Sequence, residues 1–211
     1  MKTTKQFFFV VCSLLLLVSL SACDKPETSD CEDTDSGVCT LSGVADHSNL
    51  SGVIDEVLLA IKNIDLVTLS TFVGAQGLRF SPYTYINTGS DIVLSTEMVY
   101  NGLAMSSTRN RGAYDWSGEP IDLWIGQYFQ KFVSDADYAN APEVMYNQVS
   151  ERGNNMNNIA EVYEGKQRAE FYFSGFDPQY EGMDWKSLTL VFDQVDGQRE
   201  LIGIIHNQWT I

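Results

Sequence analysis

Basic residues are scarce in this chain: 13 Lys and Arg stand against 28 Asp and Glu, a formal net charge of −15. So acidic a balance disfavours nucleic acid as a partner, whose phosphates need a basic surface, and it disfavours electrostatic docking on anionic lipid. Histidine is rarer still, with only His47 and His206 in the whole sequence. The strings Gly-x-Ser-x-Gly, His-Glu-x-x-His, Cys-x-x-Cys and a phosphate-cradling glycine loop are all absent, which removes the main signatures of serine hydrolases, zinc proteases and nucleotide enzymes. No repeat at solenoid or propeller period is present. After the N-terminal stretch no apolar segment approaches the roughly 20 residues that a helix needs to span a bilayer.

What is present begins at the N-terminus. Lys2 and Lys5 precede an apolar run from Phe7 to Leu20, which closes in Leu20-Ser21-Ala22-Cys23. The run is short for a span and ends in small residues, as a cleaved signal does. The string resembles the signal of bacterial lipoproteins, and that resemblance implies that Cys23 becomes the mature N-terminus, its thiol carrying diacylglycerol and its amine a further acyl chain. Two or three chains, at about 0.8 kcal/mol for each buried methylene, make a stable anchor. The expected partner is therefore a membrane, reached through lipidated Cys23. Loss of residues 1–22 removes two lysines and no acid, taking the formal charge from −15 to −17.

Residues 23–47 read as an acidic disordered tether, rich in Asp, Glu, Ser, Thr and Gly and poor in large apolar residues. With Cys12 lost in the signal and Cys23 consumed by lipid, Cys31 and Cys39 form an even pair suited to a disulfide in an oxidising compartment. Metal binding by Cys31, Cys39 and His47 is the alternative, although their spacing matches no zinc pattern. The run Asp30, Glu32, Asp33, Asp35 lacks the terminal bidentate Glu of a calcium loop and reads as solvated linker.

Residues 48–211 are expected to form one α+β domain. Ile54, Val57, Leu58 and Ile61 recur at helical spacing with Ser51 as a candidate N-cap, and Leu66, Leu69, Phe72 and Val73 follow with Asp65 placed to cap them. A third helix is predicted through Trp124, Tyr128, Phe129, Phe132 and Val133. Strands are predicted at 78–80, 91–94, 143–149, 168–173, 187–194 and 200–211, the last two joined by an Asp196-Gly197 turn. This order resembles the NTF2-like or cystatin-like cone, which implies N-terminal helices packed on a strongly bent antiparallel sheet and a pocket at its wide end.

Longer strings carry a second resemblance: Gly77-Leu78-Arg79-Phe80-Ser81-Pro82-Tyr83, Tyr114-Asp115-Trp116-Ser117-Gly118-Glu119-Pro120-Ile121, Gly182-Met183-Asp184-Trp185 and Ile205-His206-Asn207-Gln208-Trp209-Thr210-Ile211. They look like a family of bacterial envelope proteins, many of them lipoproteins. No catalytic residue comes with that likeness.

The residues expected to face a pocket are Arg79, Tyr83, Tyr85, Tyr114, Trp185 and His206. Strict alternation along the last strand places His206 with Ile202 and Ile204, opposite Leu201, Ile205 and a buried Trp209. Arg79 lies between apolar neighbours and suits either a structural pair with an acid such as Asp193 or an anionic ligand group. Phe176, Tyr180, Met183 and Trp185 crowd a Gly- and Pro-bearing loop that could present aromatic faces, or fold back with Trp185 in the core. No cofactor, metal or catalytic set is implied. The reading that results is an envelope lipoprotein domain that binds a small molecule or a protein partner. The alternative is a small pocket enzyme of ketosteroid-isomerase or hydratase type, for which Tyr83, Tyr85, Tyr114, Asp91 and Asp115 have the needed chemistry.

Overall fold

The computed structural model describes residues 49–148, 150, 152–153 and 156–210; the segments expected to be signal and tether, with Cys23, Cys31 and Cys39, lie outside the described residues. The first helix, α1 (Leu50–Lys62), buries Val53, Ile54, Val57, Leu58 and Ile61 as its spacing requires. Asn49, not Ser51, is its cap, because the Asn49 side chain accepts the Ser51 N–H at 3.1 Å. Asp65 caps α2 (Leu66–Ser70) by accepting the Thr68 N–H at 3.0 Å and the Thr68 hydroxyl at 2.6 Å.

After β1 (Leu78–Ser81) and β2 (Ile92–Leu94) come a short α3 (Thr96–Tyr100) and a separate hairpin of β3 (Arg109–Ala113) and β4 (Pro120–Leu123). Then α4 (Ile125–Phe132) precedes β5 (Glu143–Tyr146), α5 (Ile159–Val162), β6 (Gln167–Phe173), β7 (Lys186–Val195) and β8 (Gln198–Gln208). The Asp196-Gly197 turn joins β7 to β8 with both residues at positive φ, 50° and 81°, as a two-residue hairpin of matching twist demands.

The fold is α+β, with a six-stranded sheet in the order β2-β1-β8-β7-β6-β5. Two expectations about that sheet are corrected. It is mixed, because β1 runs parallel to β8; only strands joined by a hairpin must be antiparallel, and these two are separated by most of the domain. Nor is it strongly curled. Tight curvature needs repeated bulges, and the described ladders of this sheet contain one register shift, between Val191 and Phe192.

That single bulge decides which side chains of β8 enter the core. The Leu201 N–H is taken by the Phe72 carbonyl at 2.7 Å, outside the ladder, so Leu201 pairs with Phe192 while Gly203 pairs with Val191, and Ile202 is the extra residue. Leu201 therefore joins Ile204 in the main core beneath α1, α2 and α4, with Leu78, Phe80, Leu188, Leu190 and Phe192. Ile202 and Ile205 turn to the opposite face, into a smaller cluster with Ile86, Ile159, Tyr163 and Val191. Gly203 faces the same way, and a Cβ there would lie 2.8 Å from the Tyr163 hydroxyl.

The expected placing of Leu201 and Trp209 is overturned by this register. Trp209 is 37% exposed beyond the strand end, held by its N–H to the Trp185 carbonyl at 3.1 Å. Trp209→Ala should then cost less than about 1 kcal/mol, as near-surface changes do, and Leu201→Ala about 2 to 5 kcal/mol. Denaturant unfolding checks the order of the two midpoints, and a Trp209→Ala midpoint below that of Leu201→Ala would refute the register.

Candidate functional site

The ring of Phe132, at the last position of α4, is the meeting point of the residues that shape the site. Tyr128 lies 5.0 Å away, His206 5.5 Å, Tyr83 6.3 Å and Tyr114 6.3 Å between ring centroids. The spacing of four between Tyr128 and Phe132 puts both on the inward face of the helix. Tyr83 arrives from the connection after β1, Tyr114 from the turn after β3, and His206 from β8.

His206 is fully buried in the main core, so it lines no pocket. Its Nδ1 faces the Pro82 carbonyl at 3.1 Å and its Nε2 faces Asp135 Oδ2 at 3.2 Å. Both contacts are hydrogen bonds only when each ring nitrogen carries a hydrogen, since both partners are acceptors. Asp135 also accepts Lys186 Nζ at 2.6 Å and the Tyr138 hydroxyl at 2.8 Å. Burial alone would raise the Asp135 carboxyl, but the hydrogen bonds and charges of His206 and Lys186 outweigh it and hold the carboxyl at about 2. Tyr138 is pushed far up by burial and by the same carboxylate. This is a structural charge cluster, buried at His206 and Asp135 and open to solvent only at Lys186, and through Pro82 it fixes the first residue of a cleft.

That cleft, of about 430 Å³, opens between the 82–91 connection and the β3–β4 hairpin. Tyr83, Tyr85, Asn87 and Asp91 line one wall and Asn110 and Asp115 the other. Gly112, at φ +113°, lets the hairpin approach Pro82; a Cβ there would stand 3.4 Å from the proline ring. Burial pushes the Asp91 carboxyl up, and the Ser81 hydroxyl, the Asn87 N–H and the charge of Arg79 pull it down without cancelling that effect. Its Oδ2 accepts the Asn87 N–H at 2.9 Å. Asp115 is steadied by the Thr210 hydroxyl at 2.9 Å. Tyr83 is raised by burial, and its enclosed hydroxyl lies near the Asp115 N–H without a hydrogen bond of normal geometry.

The six residues expected at one pocket do not share one. Tyr83 and Tyr85 line the cleft, whereas the Tyr114 hydroxyl accepts Lys131 Nζ at 2.7 Å beside it. Arg79 pairs with Gly203 on β8, on the face opposite the main core, near Tyr163. Asp193, its expected partner, binds Lys166 instead at 2.6 Å. Trp185 is buried 6.1 Å from Tyr172, while Phe176, Tyr180 and Met183 of its loop are about half exposed. Arg111 was not singled out by the sequence: it is 5% exposed, donates Nε to the Leu123 carbonyl at 2.7 Å, and lies 6.0 Å from the Tyr128 ring. An arginine flanked by Asn110 and Gly112 gives no periodic sign of burial.

Among the described residues no group of His, Cys, Asp and Glu is placed to hold a metal ion, and no helix is long and apolar enough to cross a membrane. No family model, curated protein or solved structure matches the chain.

The Asp135 cluster sets an acid limb for stability. A carboxyl held at about 2, against 3.8 unperturbed, binds fewer protons folded than unfolded, so its contribution is complete above pH 3.8 and is lost as pH falls through about 2. The loss is on the order of 2 kcal/mol. Asp135→Asn should lower stability by about 3 kcal/mol at pH 7, since it strands Lys186 and His206, and should flatten the pH dependence between 4 and 2. Denaturant unfolding at a series of pH values measures both; an acid limb of equal slope in the two proteins would refute the assignment.

Proposed function

We propose that this chain is a membrane-anchored envelope lipoprotein whose C-terminal α+β domain binds a small molecule in the cleft between the 82–91 connection and the β3–β4 hairpin. The observation that carries the binding reading is the cleft itself: about 430 Å³, with tyrosines and polar side chains from two separate loops converging on it. Its walls stand on a packed core through Phe132 and through the His206 contact to Pro82, and ligand sites are commonly loops held by such a scaffold. The anchor rests on the Leu20-Ser21-Ala22-Cys23 string. The finer fold reading, an NTF2-like or cystatin-like domain, is supported in part by the element order, two N-terminal helices followed at the end of the chain by the antiparallel run β5 to β8, although α3, the separate β3–β4 hairpin and α4 stand between them.

Lipidation has a direct test. Metabolic labelling with a fatty acid should label the wild-type chain and leave Cys23→Ser unlabelled, and equal labelling of both would reject the anchor.

A second reading, a proton-transfer enzyme of ketosteroid-isomerase or hydratase type, has one observation in its favour: Asp91, with its carboxyl raised by burial, shares the cleft with Tyr83. One screen separates the readings. Small molecules that raise the thermal midpoint of the wild type should fail to raise that of Tyr85→Ala. Hits that stabilise both proteins equally would reject the cleft as the site. Turnover of a hit that Asp91→Asn abolishes would establish the enzyme over the binder.

A further inference from the structure

The cleft has a one-sided chemistry. Two carboxylates, Asp91 and Asp115, line it, and no Lys or Arg is among its lining residues. Of the cations around it, Arg111 lies inward over the Tyr128 ring and Lys131 is held by the Tyr114 hydroxyl, while Arg79, on the sheet face of Tyr163, acts on Asp91 through its charge without forming an ion pair. Neither Arg79 nor Arg111 forms an ion pair with a carboxylate among the described residues. The amides in the cleft are partly engaged in its own turns, Asn87 Oδ1 accepting the Gly89 N–H and Asn110 Oδ1 accepting the Gly112 N–H. The charged groups that the walls themselves offer are therefore both negative.

Tyr85 adds a second element. It is 52% exposed in a wall of the cleft, and the face of an aromatic ring carries negative electrostatic potential that attracts a cation, most strongly when the cation is weakly hydrated. Trp116, 64% exposed, stands at the hairpin tip between Asp115 and Gly118, which both line the cleft. The formal net charge of −15 has the same sign, and a strongly negative net charge favours cations over anions as long-range partners.

Resting on the reading that the cleft is a binding site, we infer that its ligand carries an organic ammonium group, seated between the carboxylates of Asp91 and Asp115 and against the ring of Tyr85. An alkylammonium supplies what the walls lack: positive charge, apolar C–H surface for the ring and, in a primary amine, donors for the carboxylates. An anion would meet two carboxylates and no basic side chain in the lining. Burial disfavours the charged form of Asp91, and a cation bound beside it would favour that form.

Isothermal titration calorimetry of the full chain with choline, putrescine, glucose and acetate tests the inference, the first two separating quaternary from primary ammonium. Choline or putrescine should bind, and Asp91→Asn should weaken that binding at least tenfold. Tyr85→Leu should weaken it similarly, whereas Tyr85→Phe, which keeps the ring and removes the hydroxyl, should bind within about threefold of wild type. Retention of binding by both Asp91→Asn and Tyr85→Leu would overturn the inference, as would the absence of choline and putrescine binding at millimolar concentration. Binding of glucose or acetate alone, lost in Tyr85→Leu, would overturn the ammonium assignment and leave the cleft as the site. Binding unaffected by any cleft variant would overturn both.

Discussion

A carboxylate that is only 7% exposed must be surrounded by donors, and meeting that demand at Asp135 fixes much of this domain. Its partners come from three places: Tyr138 just downstream of α4, Lys186 at the start of β7, and His206 near the end of β8. The cluster therefore ties the C-terminal end of α4 to the two central strands. His206 carries the connection onward to the Pro82 carbonyl, so the loop that builds one wall of the cleft is referenced to the core through a single imidazole. Phe132 does the same by packing, with His206 and Tyr83 on its ring. Removing any one donor leaves the others beside an unbalanced buried charge, which is why such clusters behave as units.

The parts of the fold legible in the sequence are those set by local spacing. The apolar period of α1, the Asp65 cap of α2, the run from Tyr128 to Phe132 and the Asp196-Gly197 turn each depend on residues within one turn or one hairpin. The bulge in β8 depends instead on the Phe72 carbonyl, 129 positions before Leu201, capturing an N–H that would otherwise stay in the ladder. No alternation rule contains that contact, and a one-residue shift exchanges the faces of all that precedes it. Leu201 and Ile202 were misplaced for that reason, although His206 and Ile204 do share a face. The β3–β4 hairpin was hidden in another way: Arg109-Asn110-Arg111-Gly112 has no apolar alternation, and Arg111 is buried by packing on Tyr128 rather than by its own chemistry.

The candidate site divides along the same line. Tyr83, Tyr85, Asp91 and Asp115 carried suitable chemistry, but tyrosines and acids are so common here that type alone could not select them. Selection came from two loops meeting, which is a tertiary fact. His206 was expected to face the pocket, yet its place against Pro82, Asp135 and Phe132 gives each ring nitrogen a partner and leaves no access for a substrate. In a chain with so few histidines, rarity was a poor guide to exposure.

Charge is arranged differently inside and at the cleft, and the contrast bears on what each can do. In the core, Asp135 is matched by the Lys186 ammonium and by hydrogen bonds, and is ionised well below the ordinary range, so it serves stability. In the cleft, Asp91 and Asp115 have hydroxyl and amide donors but no ion pair within reach among the described residues. A carboxylate already paired offers little to a newcomer, because binding would have to displace its partner. One that is desolvated and feels the charge of Arg79 without an ion pair can still take a partner, and the same burial that raises Asp91 makes any cation reaching it interact more strongly than it would in water.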